Sequence, residues 1–250
     1  MIGIFITARL GSTRLTEKHL IEVKEKPFVI WLIERFATKF HDKIIRNELK
    51  IFIATSTKSA NKKFESILDK NKVEIFYGSD ENIPLRHLEC AEANEIEHII
   101  SIDGDDILCS TEAANLVIEK LLNGFKMAQT SGLPLGMNVT GYSTEFLKKS
   151  LQGKEKNKLE NGWGKIFNKD EINLIQINGF KNLEKIRMTL DYEADANFFK
   201  KVISFIDIIK ISDESLIKKI IANKWNQINI HLDDVYWANF NKKKQEENLK

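Results

Sequence analysis

Ile2-Gly3-Ile4-Phe5-Ile6-Thr7-Ala8-Arg9-Leu10-Gly11-Ser12-Thr13-Arg14-Leu15-Thr16-Glu17-Lys18-His19 changes character at one point. Up to Ala8 it is apolar and β-branched, the pattern of a strand covered on both faces. From Arg9 it is polar and holds a glycine, the pattern of a loop. A buried strand opening directly into a cationic loop is how many open α/β sheets begin. In such sheets ligands sit beyond the carboxyl ends of the strands.

The following sequence repeats the alternation. Pro27 at a first helical turn predicts a helix to about Phe40. Leu49 to Ala54, Val73 to Tyr77 and Glu97 to Ile102 read as strands, with helices over Ala60 to Leu68, Pro84 to Asn94 and Ser110 or Thr111 to Leu122. Strands and helices spaced this way predict parallel βαβ units with right-handed crossovers. The second half is less regular. Val139 to Tyr142, Ile172 to Ile177 and Ile186 to Leu190 read as strands, and Gln152 to Asp170 as loop. Helices are expected over Ser143 or Thr144 to Leu151, Tyr192 to Ile208 and Ser212 to Ala222. With no repeat and no linker, residues 1–240 are expected to form one domain, and 241–250 a frayed polar tail.

Composition narrows the function. The chain has 250 residues, and a net charge of +2 gives no field to draw it to nucleic acid or a membrane surface. No apolar run reaches the ~18 residues of a membrane span. Two cysteines, Cys90 and Cys109, make neither a disulfide framework nor a zinc cluster. Met1 to Ala8 lacks the basic start and cleavage site of a signal peptide. A cytoplasmic protein, not inserted in a membrane, is expected.

Two loops carry chemistry. Arg9 to His19 offers Arg9, Arg14 and Lys18 as cations and Gly11, Ser12 and Thr13 as compact donors, a set suited to phosphate. It matches neither the P-loop nor the dinucleotide fingerprint. Asp103-Gly104-Asp105-Asp106 sets three carboxylates within four positions, and carboxylates beside a phosphate loop suit Mg²⁺. A solvated basic turn and a plain turn before a helix remain the simpler alternatives. Trp163, between Gly162 and Gly164, is a large ring on a flexible loop. Trp163, Asn138 and Arg86 are the candidates for an acceptor site.

Thr7-Ala-Arg-Leu-Gly-Ser-Thr-Arg-Leu-Thr-Glu-Lys18, followed by Lys26-Pro27, resembles the opening signature of the CMP-sugar synthetases. These include the 3-deoxy-manno-octulosonate and acylneuraminate cytidylyltransferases and the SpsF-like group. Ile53 to Ser56, Phe76 to Asp80 with Arg86, Ile102 to Asp105, and Arg187-Met-Thr-Leu-Asp191 with Asp195 resemble later family blocks in the same order. The chain departs from the usual pattern at Thr16, Asp103 and Ile107.

The resemblance implies a nucleotide-diphospho-sugar-transferase-like α/β/α sandwich with a mostly parallel sheet, working as a homodimer. It implies a cytidylyltransferase that couples CTP to a sugar acid or related small-molecule acceptor, with Mg²⁺, releasing pyrophosphate for surface polysaccharide synthesis. Ala8 and Arg9 would meet base and ribose. Gly11, Ser12, Arg14 and Lys18 would hold the triphosphate, and Asp103 would lie at the nucleotide. Asp105 and Asp191 would bind Mg²⁺, and Lys18, Arg14 and Asp105 would form the catalytic set. Two rivals stand beside this reading. One is another nucleotidyltransferase or a nucleotide-sugar glycosyltransferase on the same fold. The other is a non-catalytic nucleotide-binding module, suggested by the three departures.

Overall fold

The computed structural model describes residues 1–69, 72–180 and 185–247. β1 (Ile2–Thr7) is followed by two-residue strands β2 (Glu22–Val23) and β3 (Lys26–Pro27), then α1 (Phe28–Lys39) and short α2 (His41–Ile45). β4 (Leu49–Ser56), short α3 (Phe64–Ile67), β5 (Glu74–Gly78), α4 (Ile83–Ala93), β6 (His98–Asp103) and α5 (Thr111–Leu122) complete the regular half. β7 (Met127–Ser131), β8 (Thr140–Ser143), α6 (Thr144–Leu151), β9 (Ile172–Gln176), α7 (Glu193–Phe205), α8 (Asp213–Ala222) and α9 (Asp233–Glu246) make the rest.

The main sheet has seven strands in the order β5-β4-β1-β6-β8-β7-β9. β8 alone among them runs against its neighbours. Helices pack on both faces, as the alternation requires. Ile4 and Ile6 of β1 enter one core layer, with α1, α5, α7 and α8. Phe5 enters the other, with α4 and α6. The chain leaves β1 for β4 on one side and returns to β6 on the other, so strand order reverses at β1. Thr7 and Asp103, the last residues of β1 and β6, lie side by side in register at that crevice.

Several expectations are corrected. Ile186 to Leu190 is not a strand: it makes one isolated bridge, Leu135 to Arg187, with Met188 N donating to Leu135 O at 2.9 Å. All five of its side chains are buried, packed without a ladder beside them. Gly136 permits this approach with φ +88°, since a Cβ there would lie 2.1 Å from Met188 O. β7 was not expected. Its Met-Ala-Gln-Thr-Ser sequence has little β-branching, and pairing to β8 and β9 makes the strand. Ala60 to Leu68 divides into a 3₁₀ turn, Ser59–Lys63, and α3. Asn241 onward is no frayed tail through 247: α9 continues to Glu246, and Glu247 is buried.

Candidate functional site

Main-chain bonds lace three segments together at the carboxyl edge of the sheet. Gly104 N donates to Thr7 O at 2.9 Å, and Leu190 N donates to Asp105 O at 2.9 Å. A Cβ at Gly104 would lie 2.9 Å from both Thr7 O and the Ala8 Cβ, so a side chain there would force the segments apart. The loop after β1 is pinned from below. Leu10 N donates to Asn61 Oδ1 at 2.8 Å, and Asn61 Nδ2 donates to Ser56 O and Oγ at 3.0 and 2.9 Å.

These contacts bring the cations of residues 9–18 onto the two distant aspartate motifs. Lys18 Nζ is 2.5 Å from Asp105 Oδ2 and 3.4 Å from Asp191 Oδ1. Arg14 pairs directly with Asp191, and its guanidinium lies 5.2 Å from the Tyr192 ring centre. Asp105 and Asp191 therefore already converge on one cationic atom. Among the described residues no group of three or more His, Cys, Asp or Glu side chains is placed to hold a metal ion. A divalent ion held by this pair would take its remaining ligands from phosphate and water, as Mg²⁺ commonly does.

Asp191 is itself held from behind. Arg187 is buried and donates from Nη2 to Asp191 Oδ2 at 3.2 Å. It also forks onto Asp195, Nε to Oδ1 at 3.0 Å and Nη2 to Oδ2 at 3.1 Å. Asp195 accepts the main-chain N–H groups of Asp191 and Tyr192 at 2.9 and 3.0 Å, and Asn229 Nδ2 at 2.8 Å. Arg187 and Asp195 stood in the quoted late motif without assigned roles. In space they fix the Asp191 carboxylate.

The electrostatics follow from this crowding. Burial acts most strongly on Lys18 and lowers its pKa, but the Asp105 and Asp191 charges together overturn it and leave a net rise. Asp103 lines the cavity, where desolvation, then the Asp105 charge, pushes its carboxyl up to about 7. Asp106 is raised too, by burial and then by Asp103 and Asp105. His19 is buried beside Asp105 and pushed down to about 4, chiefly by desolvation.

The cavity over this cluster has a volume of about 710 Å³. Arg9, Gly11, Ser12, Arg14, Lys18, Asp103, Asp105, Trp163 and Asp191 all line it, as does Arg86. The candidates differ in what they present. Arg9 forks onto Glu160. The Arg86 guanidinium is spent on the carbonyls of Ser79, Asp80 and Ala54, at 2.8, 3.2 and 3.4 Å. Trp163 packs edge-on against His87, Tyr142 and Phe167, so its ring is anchored rather than free. Ala8 is buried under the loop and is not part of the wall. Asn138 is not part of it either: it closes its own turn, Nδ2 donating to Leu133 O at 3.0 Å.

Sequence reading missed one wall altogether. Tyr236, Phe240, Lys243 and Lys244 of α9 line the cavity. They stand at i, i+4, i+7 and i+8, one helical stripe. The stripe was present in the sequence, but the surrounding Lys, Asn and Glu gave it the composition of a tail.

Known proteins resemble this chain along most of its length. A family model described as cytidylyltransferase matches residues 3–243. A curated protein of Methanocaldococcus jannaschii, itself uncharacterised, is 26% identical over 224 residues, 87% of this chain and 88% of its own. A cytidylyltransferase structure from Leptospira borgpetersenii superposes with a TM-score of 0.77 at 22% identity, covering 90% of this chain and 95% of that one. CMP:2-keto-3-deoxy-manno-octonic acid synthetase complexed with CTP superposes with a TM-score of 0.57 at 12% identity, covering 82% and 98%.

Proposed function

The chain belongs to the cytidylyltransferase family, and from that premise we propose that it couples CTP to a sugar acid or related hydroxyl compound, with Mg²⁺, for surface polysaccharide synthesis. It is a nucleotidyltransferase. The observation that carries the finer reading is the Lys18 ammonium held between Asp105 and Asp191, with Arg14 on the same carboxylate.

In this reaction the acceptor hydroxyl oxygen forms a bond to the α-phosphorus of CTP. The bond from that phosphorus to the β-phosphate bridge breaks, pyrophosphate leaves, and the hydroxyl proton passes to solvent. Catalysis is then positioning and charge neutralisation, and needs no nucleophilic side chain. Arg14 and Lys18 bind phosphate oxygens, Gly11 and Ser12 leave room for them, and Arg187 with Asp195 keeps Asp191 aimed into the cavity. Asp105 and Asp191 are the residues to hold a divalent ion, which when bound screens phosphate charge and acidifies the attacking hydroxyl. Support for a metal also comes from a structural neighbour, the Mycobacterium tuberculosis protein Rv0371c, whose structure was solved as a complex with manganese. Support for CTP comes from the neighbour solved with that nucleotide. The same reading makes the protein a cytoplasmic homodimer, cytoplasmic because its nucleotide substrate is supplied there.

Purified protein with CTP and Mg²⁺ is expected to release pyrophosphate with at least one member of a panel of sugar acids and related hydroxyl compounds. Asp105→Asn is expected to weaken CTP–Mg²⁺ binding at least tenfold in calorimetry. No pyrophosphate with any acceptor, together with unchanged binding by the variant, would sink the reading.

A further inference from the structure

The positive charge of this cavity does not sit where the aspartates are. Arg14, Lys18 and Arg187 face Asp105, Asp191 and Asp195, so each cation at that end has a carboxylate partner. Arg9 is neutralised by Glu160. Lys165, Lys243 and Lys244 also line the cavity, and among the described residues none of them pairs with a carboxylate. Lys165 Nζ instead donates to the Lys244 carbonyl at 3.0 Å, and Lys244 Nζ lies 5.9 Å from the Phe240 ring centre.

The end of α9 that carries Lys243 and Lys244 is held in place. The Glu247 carboxylate, 6% exposed, accepts N–H groups from Glu160, Asn161 and Gly162 at 3.2, 2.9 and 2.6 Å, and Asn161 Nδ2 at 2.7 Å. Successive main-chain N–H groups around one carboxylate form a strong anion nest. Here the nest clamps the end of α9 to the loop that carries Lys165. At its other end α9 lays Tyr236 over Arg187, 4.4 Å from guanidinium carbon to ring centre. From Tyr236 to Lys243 the helix rises about 11 Å at ~1.5 Å per residue. The helix thus spans from the carboxylates to the lysines, with Phe240 between.

We propose that Lys165, Lys243 and Lys244 form a subsite for an anionic group of the acceptor, a phosphate or carboxylate set several bonds away from its attacking hydroxyl, with Glu247 as the positioning residue. The proposal rests on the reading above, in which the triphosphate lies at Asp105 and Asp191. Along α9 the backbone of these lysines is displaced by about 11 Å from Tyr236, which lies at the carboxylate end. It also narrows the acceptor: a 2-keto sugar acid carries its carboxylate on the carbon next to the attacking hydroxyl, whereas this spacing calls for a remote charge.

The test uses the full chain saturated with CTP–Mg²⁺, with inorganic phosphate and acetate as separate probes. Rates of trace amine acylation at single lysines are read by mass spectrometry. Phosphate or acetate is expected to protect Lys243 and Lys244 at least threefold and to leave exposed Lys242 unchanged. The anion that protects at the lower concentration identifies the group. Glu247→Ala is expected to abolish the protection with CTP affinity within twofold, and Glu247→Gln to restore most of it. Full protection by CTP–Mg²⁺ alone would assign the lysines to the triphosphate and overturn the proposal, as would no protection by either anion. Failure of CTP–Mg²⁺ to bind at all would instead overturn the reading beneath it. In a turnover screen, an anionic acceptor used as efficiently by Lys243→Ala/Lys244→Ala as by the parent would also overturn it.

Discussion

Arginine is scarce in this chain, six of 38 basic residues, and its placements are informative. Arg35, Arg86 and Arg187 are all buried. Arg35 donates to the carbonyls of Ile208 and Cys109, Arg86 to three carbonyls behind β5, and Arg187 to two aspartates. A planar, permanently charged fork spreads five donors in fixed directions over several acceptors, whereas a lysine offers one compact point charge. Arg9 and Arg14 fork or pair toward carboxylates at the cavity rim. Scarcity was therefore a usable signal, though it did not separate an arginine for ligand from one for main chain. Arg86 shows the difference, since its contacts to Ser79, Asp80 and Ala54 come from folding rather than sequence spacing. Arg187→Met is expected to leave Asp195 charged and buried with its main partner gone. A loss of about 3–5 kcal/mol in urea unfolding is expected, and CTP binding should weaken as Asp191 loses its backing. A loss under ~1 kcal/mol would mean that Asn229 and the main-chain donors suffice for Asp195.

At the scale of elements, the regular half reads cleanly because strand and helix periods differ and each βα unit buries its own apolar face. Boundaries of α1, α4 and α5 fall within a residue or two of expectation. Elements that depend on partners read poorly. β7 exists through its neighbours, Ile186 to Leu190 lacks a neighbour to pair with, and α9 is helical without burying any residue of its own. Asn82 shows how an element is tied to the rest. Its Oδ1 caps α4 by accepting Leu85 N at 2.9 Å, and its Nδ2 donates to the carbonyls of Lys154, Glu155 and Asn157 at 3.0 to 3.2 Å. Asn82→Ala removes the cap and strands those carbonyls. A loss of about 1–3 kcal/mol in denaturant unfolding is expected, and Asn82→Asp should recover the cap but not the donations. Equal stability of the two variants would show that the Nδ2 donations carry the whole effect.

For the whole molecule, pH exposes how the buried polar centre contributes to stability. His87 lies between Thr7 Oγ1 at 2.8 Å and Tyr142 Oη at 2.7 Å. Burial, then the Arg86 charge, pushes its pKa down to about 3. In the unfolded chain it takes a proton near 6.5, so below that pH the unfolded state binds more protons and stability falls. Subtracting a His87→Gln variant isolates this group from the carboxylates. The stability advantage of the parent over the variant is expected to shrink by about 2 kcal/mol between pH 7.5 and pH 5. A difference that stays constant over that range would mean that His87 takes up its proton in the folded protein as readily as in the unfolded chain. Among the described residues no helix is long and apolar enough to cross a membrane.

What the amino-acid order determined by itself was local: the buried first strand, the cationic loop after it, the alternation that makes a parallel sheet, and two aspartate motifs of the right chemistry. Those features depend on residues close in the chain, where period and composition act directly. Only the tertiary structure decided that Lys18 sits between Asp105 and Asp191, that Asn138 turns away and Arg86 serves main chain, and that α9 forms a wall. Such contacts join residues up to 177 positions apart. Their geometry is set by how the sheet twists, reverses at β1 and packs its layers, and no short-range pattern carries that information.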